Sequence, residues 1–183
     1  MLFRSNADVA ILVVGERSGL TAAATSGEAR DRLELGLPGR QRELVASVAA
    51  TGTPIVLVVV SGRPLGIPAE AALASAVLFA WLPGHEGPEA VADVLFGDVN
   101  PGGKLPVSFP HRSGQAPLYY NQKPTGRPAD EKKVWSSKYI DAPIPALFPF
   151  GHGLSYTSFT IGTPVTLLRN GTVRDDRGLT SST

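Results

Sequence analysis

Three short apolar runs, the first two rich in β-branched residues, punctuate the first half of the chain: DVAILVV over 8–14, PIVLVVV over 54–60 and AVLFAW over 76–81. None alternates apolar with polar positions, so the first reads as a strand buried on both faces, the pattern of a parallel sheet, the second as another buried strand and the third as a strand. Helical patterns stand between and after them. Pro38 opens the first at its leading position, Leu44, Val45 and Val48 form its apolar stripe, and Gly52 is its expected C-cap. A short helix is expected over 68–74 and a third over 88–96, with Gly97 closing it. Strand alternating with helix three times predicts an α/β fold, a mostly parallel sheet sandwiched by helices with right-handed crossovers. Ligands of such sheets sit beyond the carboxyl ends of the strands. That rule gathers the segment after the first strand, the Ser61–Pro64 turn and the stretch from Trp81 to Gly87 along one edge.

The segment after the first strand is the anomaly. A strand-to-helix connection needs only a few residues, yet this one runs from Gly15 to Pro38, and long connections in compact domains are functional or disordered. It carries two carboxylates, Glu16 and Glu28, and continues into Asp31 and Arg32. A carboxylic acid donates a proton to a leaving group only when it is held at the substrate and kept protonated, by burial or by a neighbouring carboxylate. Small residues around Glu28 (Ala22 to Ala24, Ser26, Gly27) would let the loop deliver that side chain to another body. Glu28 is therefore the catalytic candidate. The competing readings are an exposed glutamate paired with Arg30 or Arg32, and Glu16 as the acid, since it stands directly at a strand end.

Four more residues are candidates for contact with substrate. Asp31 and Arg32 would orient Glu28 or bind hydroxyl groups, or else form a structural salt bridge. Trp81 ends a strand at the ligand edge, where an indole face can stack on a sugar ring or simply join the core. His85 follows in a Pro-Gly turn and would line the pocket.

Composition removes several classes of function. A formal charge of +1 with scattered basic residues gives no reason to expect nucleic acid or an anionic membrane surface as partner. No apolar run approaches membrane-spanning length. There is no cysteine, which excludes disulfide and thiol chemistry. The three histidines, His85, His111 and His152, lack metal-ligand spacing, so no metal and no cofactor are expected. Gly151 and Gly153 lack the third glycine of a dinucleotide fingerprint and there is no phosphate loop, which argues against a nucleotide-binding α/β domain.

From Asn100 the character changes. A tight turn at 100–104 and a short extended piece at 105–109 lead into a long irregular loop, 110–145, rich in Pro, Gly, Lys and Tyr. Ordered, aromatic-rich backbone returns at 148–156. The polar tail after Phe159, with an Asn170-Gly171-Thr172 glycosylation triplet, is expected to be disordered.

Read together, Gly27-Glu28-Ala29-Arg30-Asp31-Arg32 with Leu37-Pro38-Gly39 and Gln41, Ser61-Gly62-Arg63-Pro64, 81–87, 92–98, 100–106, Tyr119-Tyr120-Asn121 with Thr125-Gly126-Arg127-Pro128, and 148–156 resemble the carboxy-terminal α/β sandwich domain of glycoside hydrolase family 3. The resemblance spans about 8–159. It implies a retaining β-glucosidase or β-xylosidase in which an aspartate on a preceding (β/α)8 barrel attacks the anomeric carbon and a sandwich-domain glutamate supplies the proton. The two carboxyls of such a pair stand about 5 Å apart. The family's acid/base pattern fits Glu28 better than Glu16. On this reading 1–160 is a partial sandwich domain, 161–183 is a linker or truncated start of a fibronectin type III-like domain, and the barrel is the missing partner. The substrate would be a β-linked oligosaccharide or glycoside, and the likeness to periplasmic β-glucosidases implies a periplasmic or secreted protein. The alternative is a non-catalytic sugar-binding or interaction module with the same fold.

Overall fold

The computed structural model describes residues 7–160 together with 162, 166–167, 173–174 and 180–181. The three apolar runs become β1 (Ala10–Gly15), β2 (Ile55–Val60) and β3 (Ala76–Trp81), and the helices are α1 (Gln41–Ala49), α2 (Pro68–Leu73) and α3 (Gly87–Phe96). The strands form one parallel sheet in the order β1-β2-β3, with Leu12 opposite Leu57 and Leu57 opposite Val77. β2 is central, and Ile55, Leu57 and Val59 on it are fully buried. They pack with Ala10, Leu12 and Val14 against Val45 and Val48 of α1 and against Leu37, Leu65 and Ile67.

The first strand departs from the expectation of burial on both faces. Ile11 and Val13 are 47% and 66% exposed, because β1 is an edge strand and no described element covers its second face. The opening is confined to β1, since Val58, in register with Val13 on the same face of β2, is 1% exposed. The first helix also starts later than Pro38. Gly39 adopts φ +61°, a left-handed turn that no α-helix can contain, so the helix begins at Gln41. It ends at Ala50 rather than at Gly52, which turns the chain afterwards with φ +77°. Gly97 caps α3 as predicted, at φ +87° with its N–H on the Val94 carbonyl.

Two features shape the carboxyl edge. Gly15 has φ +135°, and a Cβ there would fall 1.9 Å from the Val60 carbonyl oxygen, so only glycine lets β1 lie this close to β2. At the other side the ladder shifts register between Val59 and Val60, and Trp81 takes φ +56°. This bulge turns the indole into a cluster of rings: Phe79 at 4.7 Å and Phe109 at 5.8 Å, both edge-on.

The 110–145 loop leaves and returns at one place. Phe109 is fully buried and bridges Phe148, with N–H to carbonyl distances of 2.8 Å from Phe109 to Phe148 and from Leu147 back to Phe109. Gln115 closes the base, accepting from the His111 N–H and donating to the Pro143 carbonyl. In the tail, β4 (Thr166–Leu167), β5 (Val173–Arg174) and β6 (Thr180–Ser181) pair antiparallel. The rest of the tail, including the Asn170 triplet, lies outside the described residues.

Candidate active site

The carboxyl ends of the three strands are tied side by side. The Glu16 N–H donates to the Val60 carbonyl at 2.8 Å and the Ser61 N–H to the Trp81 carbonyl at 3.1 Å. Gln41, at the start of α1, clasps the terminal peptide of β1 with both ends of its amide, accepting from the Gly15 N–H at 2.7 Å and donating to its carbonyl at 2.8 Å. The grouping expected from the strand-end rule is thus realised for Glu16, Ser61 and Trp81.

Glu16 sits at the centre of a charge cluster. Its side chain is fully buried, with the Arg32 Nη1 3.4 Å from Oε1 and the Arg63 Nε 3.0 Å from Oε2. The Ser61 hydroxyl, 3.0 Å from Oε2 and 2.9 Å from the Arg63 carbonyl, shares its proton between them. A buried carboxylate is tolerable only when paired and hydrogen-bonded, and this one meets two guanidiniums and a hydroxyl. Both oxygens of Glu16 are engaged by donors of its own chain. Its chemistry here is that of a fixed counter-charge.

Glu28 is the opposite case. It is exposed and has no hydrogen-bond or ion-pair partner among the described residues. The expected pairing with Arg30 or Arg32 does not occur, because those guanidiniums are used elsewhere: Arg32 on Glu16, and Arg30 on the carbonyls of Ala29, Leu20 and Thr21. The loop behind Glu28 is closed on itself. Thr25 and Ser26 donate their N–H groups to the Arg17 carbonyl, the Arg17 N–H donates to the Thr25 hydroxyl, and Gly19 donates to Ser26. The residues on either side of Glu28 both have positive φ, Gly27 at +125° and Ala29 at +55°. A left-handed alanine costs about 1–2 kcal/mol and persists only where its surroundings over-determine it. The surroundings here include Arg63, whose Nη2 donates to the Arg30 carbonyl at 3.1 Å. One side chain therefore binds both Glu16 and the backbone two residues from Glu28.

The other candidates divide. Arg32 joins the Glu16 cluster and also approaches the Gly36 carbonyl at 3.5 Å. Trp81 is half-buried against Phe79 and Phe109, a rim position in the aromatic core. Asp31 and His85 are exposed, and no described hydrogen bond or ion pair joins either to Glu28. A cleft of about 640 Å³ lies beside Arg32, Gly36, Arg42, His111 and Arg112, and another of about 570 Å³ beside Glu16, Arg17, Thr25 and Gln41. Neither is lined by Glu28, Asp31, Trp81 or His85. The residue that sequence reasoning passed over is Arg63. Its signals were its place in the turn after the second strand and in the Ser61-Gly62-Arg63-Pro64 motif, and nothing in its spacing announces a partner 47 residues upstream.

Residues 3–156 match the family described as the glycosyl hydrolase family 3 C-terminal domain. The chain is 46% identical over 178 residues to a periplasmic beta-glucosidase of Salmonella typhimurium, covering 96% of this chain and 22% of that protein. To a beta-xylosidase of Formosa agariphila it is 42% identical over 171 residues, 91% of this chain and 22% of the relative. Among solved structures, a beta-glucosidase from Listeria innocua in complex with isofagomine superposes with a TM-score of 0.80 at 36% identity, over 89% of this chain and 23% of that one. The chain thus spans about a fifth of the length of the relatives it matches.

Proposed function

The chain belongs to the glycosyl hydrolase family 3 C-terminal domain family, and from that membership we propose that it supplies the proton-donating half of a retaining β-glycosidase site, with Glu28 as general acid/base. The observation that carries this reading is the contrast between the two loop carboxylates. Glu16 is consumed by Arg32, Arg63 and Ser61, while Glu28 is held out unpaired between two left-handed residues on a braced loop. In the first step Glu28 would give its proton to the departing glycosidic oxygen as an aspartate of a barrel domain attacks the anomeric carbon. In the second it would take a proton from water. Glu28 is exposed in this chain, so the exclusion of water and the second carboxyl both have to come from that other domain.

Arg32 and Arg63 hold the loop through Glu16, and Asp31, Trp81 and His85 are proposed to face the sugar once the barrel closes over this edge. The relatives' names support a substrate among β-linked glucosides and xylosides, and the Salmonella relative's name supports a periplasmic or secreted setting. The alternative of a non-catalytic sugar-binding module is separated by one experiment. The chain is joined to a family barrel carrying its aspartate, and Glu28→Ala is assayed on an aryl β-glucoside with a good leaving group, with and without azide. Loss of the second step together with azide rescue, giving a β-configured glycosyl azide, supports Glu28 as acid/base. Undiminished turnover by Glu28→Ala rejects it.

A further inference from the structure

The geometry points to a second carbohydrate contact on the long loop, a β-glycan platform built on Trp135. The choice of a β-linked glycan rests on the glycosidase reading above. The loop encloses a hollow of about 530 Å³ whose lining includes Arg127, Pro128, Asp130, Lys133 and Trp135, with no residue from the segment that carries Glu28. That volume falls in the range of small-ligand sites. Trp135 is 82% exposed, which leaves a large apolar ring facing water.

The ring is presented by a hydrogen-bonded frame centred on Asp130. The carboxylate of Asp130 accepts from the Lys132 N–H at 2.9 Å and pairs with the Lys133 ammonium at 3.6 Å. Its carbonyl accepts from the Ser136 hydroxyl at 2.7 Å and from the Lys138 ammonium at 3.2 Å. Across the hollow the Ser137 N–H donates to the Arg127 carbonyl at 3.3 Å. These bonds hold the backbone on either side of Trp135, which lowers the ordering cost of presenting its ring.

The chemistry around the ring selects a sugar over a purely apolar partner. The Arg127 guanidinium makes no hydrogen bond or ion pair among the described residues, and an apolar partner burying it would leave its donors unmatched. A pyranose offers a C–H face for the indole and a rim of hydroxyls for the guanidinium. Lys133 is already balanced by Asp130, which leaves the Arg127 guanidinium as the free donor of the hollow, one that hydroxyl groups can meet.

The chain holds two tryptophans, so Trp81→Phe leaves Trp135 as the sole indole. Titrating that variant with cellohexaose or xylohexaose is expected to give a saturable blue shift of the emission. Arg127→Ala, in the same background, should weaken binding about tenfold, the loss of one charged hydrogen bond. A second measurement covers the case in which Trp81→Phe does not fold. In electrophoresis through gels containing hydroxyethyl cellulose or xylan, the otherwise unaltered chain should be retarded and Trp135→Ala should run freely. Equal mobility of the two, or no emission change up to about 10 mM sugar, overturns the proposal, since a single stacked ring supports roughly millimolar affinity. Glu28→Gln should bind like the unaltered chain, so a failure of the acid/base reading and a failure of the platform are separately visible.

Discussion

Arg63 Nε lies 3.0 Å from Glu16 Oε2, while Nη2 of the same guanidinium donates to the Arg30 carbonyl at 3.1 Å. A single planar fork thus couples the buried end of β1 to the loop that displays Glu28. Lysine has one charged nitrogen on a flexible stem and cannot hold both acceptors in that geometry. Arg63→Lys is expected to keep the fold but lower kcat in the barrel-completed enzyme more than it raises KM. Arg63→Ala should in addition lower stability by about 2–3 kcal/mol, the scale of lost charged hydrogen bonds, read from urea unfolding.

The two loop carboxylates should separate cleanly under substitution. Glu16→Ala leaves Arg32 and Arg63 without their shared counter-charge and is expected to cost about 3–5 kcal/mol. Glu28→Gln removes no contact among the described residues, so its urea midpoint should match that of the unaltered chain while turnover of the completed enzyme collapses. A Glu28→Gln variant that is destabilised as much as Glu16→Ala would mean the loop carboxylate is structural.

Gly15→Ala tests the approach of β1 to β2. The added methyl would sit 1.9 Å from the Val60 carbonyl oxygen at a backbone φ of +135°. The strand end must move, taking the Gln41 clasp and Glu16 with it. Loss of more than about 4 kcal/mol is expected, which for a single domain means little folded protein by circular dichroism.

Ala29→Gly addresses the strained residue beside Glu28. Glycine relieves the left-handed alanine at φ +55°, and a gain of about 1 kcal/mol in stability is expected, offset in part by the greater freedom of the unfolded chain. If the conformation serves to aim Glu28, kcat of the completed enzyme should fall as stability rises.

Away from this edge, Glu70 of α2 is buried and pairs with Arg42 of α1 at 2.7 Å, while its other oxygen finds no partner among the described residues. Arg42→Ala strands that charge and should cost about 3 kcal/mol or more. Replacing the pair by Arg42→Leu with Glu70→Leu should recover most of the loss, and the double-mutant cycle in urea measures how much.

Much of this molecule was legible in its residues. Short uninterrupted apolar runs leave few options but strands, and the spacing of Val45 and Val48 or of Val91 and Val94 leaves few but helices. The rule that ligands gather at strand ends then placed Glu16, Ser61 and Trp81 on one edge, where the hydrogen bonds do join them. What periodicity could not reveal was coverage and partnership. Whether the second face of β1 is buried depends on which elements lie over it, and its alternate residues proved open to solvent. Which of two glutamates is neutralised depends on side chains 16 and 47 positions away, brought close only by the crossover between β1 and β2. Local sequence sets backbone preference because that energy is local. Ion pairing is a contact energy between distant residues, and only the folded chain decides who meets whom.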